Sequence, residues 1–184
     1  MKELSLNILD IAENSTKAKA TLVEITITES EDELEISIKD DGTGMTEEIL
    51  SSVSNPFYTT RKTRSVGMGI PLFKIAAEQT GGKLLITSRH IDRFPTDHGT
   101  TVTARFNKKH IDFTPLGDVV SSVVTLIQGH PSVDFLFTHR SEARDVSLDT
   151  RELREVLDGV PLDTFEVLIW IKENLEEQYN QVLN

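Results

Sequence analysis

Cysteine does not occur in this 184-residue sequence. Its absence excludes disulfide bonds, thiolate metal sites, iron–sulfur clusters and cysteine nucleophiles. The sequence also has neither a signal peptide nor an apolar run of membrane-spanning length. It therefore predicts a soluble, cytoplasmic protein whose chemistry depends on oxygen and nitrogen side chains.

Positive charge is scarce as well. The 19 Lys and Arg residues stand against 30 Asp and Glu residues, which gives a formal net charge of −11. This balance argues against nucleic acid or an anionic membrane as the main partner. Any site for an anionic ligand must therefore be built locally. The length fits one domain of ordinary size, or one domain with a small addition.

The first part of the chain alternates between helical and strand patterns. Apolar residues at helical spacing predict a helix over residues 2–17, and a second helix is expected over 68–80. Alternating, β-branched segments predict strands over 23–28, 34–39, 83–90 and 100–106. A short helix is expected after Thr46, which is placed to cap it. The aperiodic residues 55–67 predict a long loop. These elements predict an α/β (α+β) two-layer sandwich with a mixed, mostly antiparallel sheet.

The pattern changes after residue 106. Residues 107–118 have the composition of a linker, and residues 119–128 fit a helix or a strand equally well by pattern alone. Strands are expected over 133–139 and 144–149, and helices near 151–157 and 165–179. We therefore predict a division into residues 1–107 and a small C-terminal α/β region, 108–184, with a partner-binding or regulatory role.

Asp10 and Asn14 are the first candidate site residues. Their i, i+4 spacing places them on one helix face, so both side chains can point at one ligand. An asparagine carbonyl oxygen suits Mg²⁺, which keeps water and phosphate oxygens among its ligands. A carboxylate one turn away can orient a water molecule. The alternative is a helix with two polar residues on its solvent face.

The run DDGTGM, residues 40–45, follows the second predicted strand. A carboxylate at a strand end can accept a hydrogen bond from the adenine amino group, whereas guanine presents a carbonyl oxygen there and is repelled. Asp40 is therefore the candidate adenine contact. Gly42 and Gly44 allow the backbone to approach the base closely. The alternative is an ordinary β-turn.

The stretch PFYTTRKTRSVGMGI combines a basic loop with a helix start. Arg61, Lys62 and Arg64 concentrate positive charge in an acidic chain, and Gly67 and Gly69 follow at the start of the next helix. Exposed backbone amides, the helix dipole and basic side chains together suit a triphosphate. The alternative is a solvated basic loop, which does not explain the two glycines.

The last candidate region contains GGKLLITS and GTTVTARF. Gly81 and Gly82 are expected at any helix-to-strand turn. Thr100 begins the last strand of the first region and is placed to hold a water molecule against the adenine ring.

In this order and at these spacings, the four stretches resemble the GHKL superfamily, whose Bergerat-fold ATP site is shared by sensor histidine kinases, gyrase-type topoisomerases and the mismatch-repair protein MutL. ENSTKAKA resembles the N box, DDGTGM the G1 box, NPFYTTR with VGMGI the F box, lid and G2 box, and GGKLLITS the G3 region. The resemblance covers residues 1–106. It implies ATP and Mg²⁺ as ligands.

The resemblance also implies roles for individual residues. Asn14 takes the position of the magnesium ligand, and Asp40 that of the adenine contact. Asp10 stands where the superfamily places its general base, usually a longer Glu. The remaining nucleotide-binding positions are Gly42, Gly44, Met45, Thr59, Thr60, Arg61, Lys62, Gly67, Met68, Gly69, Ile70 and Thr100.

Two departures from the superfamily affect the expected function. The first helix leaves no room upstream for the hairpin that carries the phosphoacceptor histidine in histidine kinases, and the chain ends too early for a transducer domain. None of the histidines lies in a recognisable phosphoacceptor helix, so each is expected to be a surface or a satisfied polar residue. They are His90, His98, His110, His130 and His139.

The resemblance implies a stand-alone Mg·ATP-binding, histidine-kinase-like protein in signal transduction. It would transfer the γ-phosphate to a separate protein or use ATP as a conformational switch. The alternatives are a nucleotide-sensing module without turnover and a free-standing ATPase. An acidic scaffold without nucleotide remains only if the motifs agree by chance. A protein partner is expected at residues 108–184, and neither nucleic acid nor membrane is expected as a partner.

Overall fold

The computed structural model describes residues 3–53 and 68–181. Residues 55–67, which the sequence predicts as a long loop, lie outside the described residues.

One six-stranded sheet forms the centre of the described structure. Its spatial order is β3-β4-β2-β1-β5-β6. The β1–β5 pair is parallel, and the other four pairs are antiparallel. The predicted mixed, mostly antiparallel sheet is confirmed. The strands are β1 Leu22–Glu29, β2 Glu33–Asp40, β3 Lys83–Arg89, β4 Gly99–Asn107, β5 Asp134–Ser141 and β6 Arg144–Asp149.

Six helices accompany the sheet within residues 3–53 and 68–181. The segment that fitted either element by pattern is a helix, and Asp118 caps it by accepting a hydrogen bond from the Ser121 amide. Thr46 caps the short helix as predicted. None of these helices is long and apolar enough to cross a membrane. The helices are α1 Leu4–Lys17, α2 Glu47–Ser52, α3 Gly69–Gln79, α4 Val119–Gly129, α5 Thr150–Leu157 and α6 Phe165–Asn180.

The core lies between one face of the sheet and the helices. Alternate residues of the central strands are buried, because successive side chains in a strand point to opposite faces. Across the sheet, Ile25 lies level with Ile38 and Phe137, and all three are buried. Helix α1 packs against β1 and β2 and lies between α3 and α4. The two-layer sandwich is therefore confirmed.

The C-terminal region shares this sheet and core. Strand β5 pairs with β1, and α4 packs on α1. The segment between β4 and α4 also contacts the start of α1, since the amides of Leu4 and Ser5 donate to the carbonyls of Pro115 and Leu116. The sheet therefore runs across the predicted boundary at residue 107. The division at residue 107 stays a prediction from the sequence pattern, and truncation of the chain tests whether residues 1–107 fold alone.

Candidate functional site

A cavity of about 300 Å³ opens between α1, the loop after β2 and the start of β4. This volume lies at the lower end of small-molecule sites. Six of the predicted site residues line it, and they come from five separate segments of the chain: Asn14, Asp40, Gly44, Met45, Ile70 and Thr100. The structure thus brings together side chains that the sequence analysis could relate only through motif order.

Asp40 lies on the inner wall of the cavity and is 8% exposed. Its Oδ2 accepts a hydrogen bond from the Ser15 hydroxyl at 2.6 Å. Its Oδ1 accepts from the backbone amides of Gly42 at 2.9 Å and Thr100 at 3.3 Å. A carboxylate has about four acceptor positions, so these three donors leave about one free. Asp40 is therefore held as an acceptor that can take one further hydrogen bond.

The loop after β2 packs tightly against its neighbours. A Cβ atom on Gly42 would lie 2.8 Å from the carbonyl oxygen of Ala18 at the end of α1. The Nδ1–H of His98 donates to the carbonyl of Gly42 at 2.6 Å. Gly44 has φ +69°, and a Cβ there would overlap the carbonyl oxygen of Arg89. Glycine is required at position 44 for both conformation and space.

A small hydroxyl cluster forms the wall beside Asp40. The Met45 amide donates to Ser88 Oγ at 2.7 Å, and Ser88 Oγ lies 2.8 Å from Thr100 Oγ1. Ser88 also reaches the carbonyl of Gly99 at 3.1 Å. This cluster fixes the backbone of Met45 and the side chain of Thr100. That Thr100 holds a water molecule against the adenine ring stays a prediction.

Helices α1 and α3 meet at Asp10 and Gly69. A Cβ on Gly69 would lie 2.9 Å from the Cβ of Asp10, so the start of α3 lies directly on the α1 backbone at this point. Asp10 itself is exposed and does not line the cavity. Ile70 lines it, whereas Met68, the residue before α3, is exposed.

Asn14 lies on the cavity wall one helical turn from Asp10. Its side-chain Nδ2 is buried and has no hydrogen-bond partner among the residues that the structure describes. The described residues contain no cluster of three or more His, Asp or Glu that could hold a metal ion by themselves. A single amide oxygen fits Mg²⁺ that takes its other ligands from phosphate and water.

Five predicted site residues lie outside the described part of the chain. They belong to the basic loop and the first of the two lid glycines: Thr59, Thr60, Arg61, Lys62 and Gly67. Their predicted role in holding phosphates stays a prediction.

Several residues in or beside the cavity are not predicted from the sequence. Ser15 could have been found, because it lies on the buried face of α1 four residues after Ile11. Ser88 and His90 follow from no local signal, since the pairing of β3 with β4 brings both to this part of the fold. His90 lines the cavity, and Ser88 contacts two lining residues, Met45 and Thr100. Asn7, also on α1, does not line the cavity; it is fully buried, and neither polar atom of its amide has a partner among the described residues.

All five histidines have a polar partner, as predicted for satisfied residues. His130 Nε2 lies 2.9 Å from Glu13 Oε1, which connects the end of α4 to the residue before Asn14. His139 is 1% exposed and contacts Glu29 and Tyr179. His98 contacts Gly42, and His90 and His110 each lie next to an aspartate two residues later.

Comparison with known protein families gives a match over residues 1–110. The matching family is described as histidine kinase-, DNA gyrase B-, and HSP90-like ATPase. The match covers more than half of the chain and includes every predicted site residue.

Two curated relatives are sporulation kinases of Bacillus subtilis (strain 168). Sporulation kinase A is 31% identical over 109 residues, which are 59% of this chain and 17% of the kinase. Sporulation kinase C is 32% identical over 90 residues, which are 48% of this chain and 20% of the kinase. This chain therefore spans about a fifth or less of the length of these relatives.

Among solved structures, the Aquifex aeolicus MutL ATPase domain complexed with ADP superposes with a TM-score of 0.57 at 19% identity. The superposition covers 86% of this chain and 70% of the MutL chain. That coverage is more than residues 1–110 can supply, so the likeness in fold extends into the C-terminal region.

Proposed function

The chain belongs to the family of histidine kinase-, DNA gyrase B- and HSP90-like ATPases, and on this basis we propose that it binds Mg·ATP in the cavity around Asp40 and transfers the γ-phosphate to a separate protein. Membership of this family supports ATP binding. The roles of individual residues, the dependence on magnesium and the transfer step are our proposal.

The proposal rests on the hydrogen bonds of Asp40. Its three donors, Ser15, Gly42 and Thr100, use all but about one of its acceptor positions. The free position can accept a hydrogen from the amino group of adenine. Guanine offers a carbonyl oxygen at the same place, which a carboxylate repels. The cavity should therefore prefer ATP to GTP.

Helix α1 predicts how the nucleotide lies in the cavity. Ser15, near the C-terminal end of α1, lies at the proposed adenine contact, and Asn14 is one residue closer to the N-terminus. Asp10 and Gly69 lie one further turn along, where α3 begins. The triphosphate would run in this direction, with the backbone amides at the start of α3 near its end. Asn14 would hold Mg²⁺, and the metal would supply positive charge against the phosphate oxygens.

Asp10 favours transfer over free hydrolysis. Its carboxylate is exposed and does not line the cavity. An aspartate, one methylene shorter than the glutamate that the superfamily usually has here, reaches a water molecule less well. Phosphoryl transfer depends mostly on positioning and charge stabilisation, which the cavity and an acceptor protein can supply.

A second candidate function is an ATP-driven conformational switch without turnover. One contact favours it: His130 at the end of α4 binds Glu13, the neighbour of Asn14. A shift of α1 on nucleotide binding would therefore act directly on α4 and on the C-terminal region. Such a switch needs no acceptor.

The first experiment incubates the purified chain with magnesium and γ-labelled ATP and follows both released phosphate and protein-bound label. We expect bound ATP and little release, with binding reduced in Asn14→Ala. A cytosolic protein fraction is then added. If the chain transfers phosphate, a second protein should become labelled; if it acts only as a switch, none should. Steady release by the chain alone, abolished in Asn14→Ala, would contradict both and establish an ATPase.

Asn14→Ala also tests the metal assignment directly. We expect it to remove the magnesium dependence of ATP binding while leaving adenosine binding nearly unchanged, because the amide would contact the metal and not the base. Calorimetric titrations of ATP and adenosine, with and without magnesium, measure both effects. Equal losses for the two ligands would contradict the role of Asn14 as a metal ligand.

A further inference from the structure

A second concave surface lies at the edge of the sheet formed by β6, away from the nucleotide cavity. It is a groove of about 600 Å³ between β6, α5 and α6. Strand β6 is the edge strand farthest from β3, whereas the nucleotide cavity lies at β2 and β4. Its apolar residues are Leu148, Leu153, Val156, Leu157, Val167 and Trp170. We call this surface the β6 groove.

The β6 groove exposes an unusual amount of apolar surface. Val156 is 82% exposed and Trp170 is 49% exposed, and both line the groove. Phe165, at the start of α6, is 71% exposed. Single exposed apolar residues are common, but several on facing helices around one concavity are typical of a binding surface. Large aromatic residues in such a position commonly supply much of the binding energy.

The backbone of β6 argues against a strand as the occupant. The side chain of Gln178 accepts from the Ser147 amide at 2.9 Å and donates to the Ser147 carbonyl at 3.0 Å. An added strand would need these two groups at the middle of the edge. Because α6 already occupies them, the groove suits side chains from a helix lying between α5 and α6.

The charge around the β6 groove is negative. Glu152 and Glu166 line it, and none of its lining residues is basic. Asp149 lines it as well and pairs with Arg151 at 2.6 Å, which leaves Glu152 and Glu166 as the carboxylates of the rim. The other arginine of α5, Arg154, pairs with Asp134 at 2.7 Å, outside the groove. An acidic rim repels phosphate groups of nucleic acids and anionic lipids and attracts Lys and Arg.

We propose that the β6 groove is the docking site for an amphipathic helix of a partner protein, with apolar residues at i, i+3 and i+4 facing Trp170 and Val156 and with Lys or Arg on its flanks. This mode of recognition buries the apolar face of the helix between α5 and α6. The flanking cations lie against Glu152 and Glu166. The proposal does not depend on nucleotide binding, because no residue of the groove belongs to the nucleotide cavity.

The chain contains a single tryptophan, so Trp170 reports on the groove alone. The test titrates the whole chain with a synthetic amphipathic peptide that carries leucine on one helical face and lysine on the other. We expect a saturable blue shift of the emission. The same peptide with glutamate in place of lysine should bind at least about tenfold more weakly, because its charge matches that of the rim.

Two groove variants and one matched control complete the test. Val156→Asp and the double variant Glu152→Lys/Glu166→Lys should each weaken binding of the lysine peptide at least about tenfold. The double variant Glu31→Lys/Glu33→Lys makes the same change in net charge at the exposed β1–β2 turn and should leave binding unchanged. Circular dichroism of each variant confirms that it is folded.

Three outcomes would overturn the proposal. Equal binding of both peptides would remove the charge argument, and equal loss in the control variant would assign the binding to net charge. Without peptide, the emission could instead shift with protein concentration while sedimentation shows a dimer. That result would assign the groove to a second copy of the chain.

Discussion

The side chain of Asp40 connects three segments of the site: α1, the loop after β2 and the start of β4. Ser15 donates to one of its oxygens, and the amides of Gly42 and Thr100 donate to the other. All three segments line or border the cavity. The residue that would read the base is thus also the one that fixes the geometry of its surroundings.

Asp40→Asn separates these two roles. An asparagine can keep its carbonyl oxygen toward the amides of Gly42 and Thr100, and its NH₂ group can donate to the Ser15 hydroxyl, which also accepts. We expect the fold to be retained. The loss of a charge-assisted hydrogen bond to adenine, worth about 1.5–3 kcal/mol, should weaken ATP binding about tenfold to a hundredfold. Calorimetric titration with ATP measures the change, and unchanged affinity would remove Asp40 from the adenine site.

At the scale of elements, the turn after β2 depends on Gly44. Gly44 and Gly81 have similar positive φ values, +69° and +77°, but only Gly44 is close to another backbone. An alanine at either position costs about 1–2 kcal/mol for the left-handed conformation. Gly81→Ala should lower the free energy of unfolding by no more than this cost and leave ATP binding unchanged, because nothing lies near its Cβ position.

Gly44→Ala should lower the free energy of unfolding further and also weaken ATP binding, because the new Cβ would push the loop away from Arg89 and the cavity. Urea unfolding and ATP titration of both variants measure the difference. Equal effects in the two variants would show that the close approach at Gly44 has no consequence for the site.

A second element-scale feature joins β1, β5 and α6 through His139. The Tyr179 hydroxyl lies 2.8 Å from Nδ1, and Glu29 Oε2 lies 3.2 Å from Nε2. Burial raises the pKa of Tyr179, so its hydroxyl stays protonated and donates to Nδ1. The Nε2–H then donates to Glu29, and the neutral imidazole is fully hydrogen-bonded in this arrangement.

The pKa of His139 is lowered chiefly by burial, and by the nearby Arg144 and Lys108, although Glu29 acts in the opposite direction. Burial alone would raise the pKa of the Glu29 carboxyl, but hydrogen bonds from Lys108 and His139 outweigh it and hold the pKa below its ordinary value. Below the ordinary histidine pKa of about 6.5, the unfolded chain therefore binds more protons at His139 than the folded chain does.

The free energy of unfolding should consequently fall as the pH drops from 7 to 5, and Glu29 should add to the loss below its ordinary pKa. We expect His139→Gln, which cannot titrate, to flatten the dependence between pH 7 and 5. Urea unfolding at several pH values measures it, with His110→Gln outside this network as the control. An unchanged slope in His139→Gln would contradict the assignment.

At the scale of the whole molecule, the C-terminal region completes the sheet on which the site is built. Strand β1 lies between β2 and β5, and α1 lies between α3 and α4. Val123, Leu126 and Ile127 of α4 are fully buried. Removal of this region would expose an edge of β1 and an apolar face of α1, which favours aggregation.

We therefore predict that a chain ending at residue 110 lacks a cooperative unfolding transition, although the family match ends there. Circular dichroism during heating and size-exclusion chromatography test this. Mixing with a separate chain of residues 111–184 should restore the transition. A truncated chain that unfolds cooperatively near the temperature of the whole chain would instead support residues 1–107 as an independent unit.

Local sequence patterns predicted most of the elements and the core of the site. The helical spacing of α1 and the alternation of β1 and β2 arise from neighbours a few residues apart, so they are visible in the sequence. The same holds for Asn14, Asp40 and Gly44, whose motifs identify the family by their order. The pattern of segment 119–128 does not distinguish a helix from a strand, because short apolar runs fit both periods. In the structure it is a helix that packs on α1 and on α6.

The order of the motifs identifies the family, and local patterns predict the central elements and the candidate contacts for base and metal. The folded chain alone shows that β5 joins β1, that Ser15 holds Asp40, and that Trp170 lines the groove beside edge strand β6. The difference lies in the distance along the chain over which each effect acts. Periodicity and turn chemistry act between near neighbours in the chain, whereas strand pairing and burial depend on which distant segments together remove the most apolar surface from water.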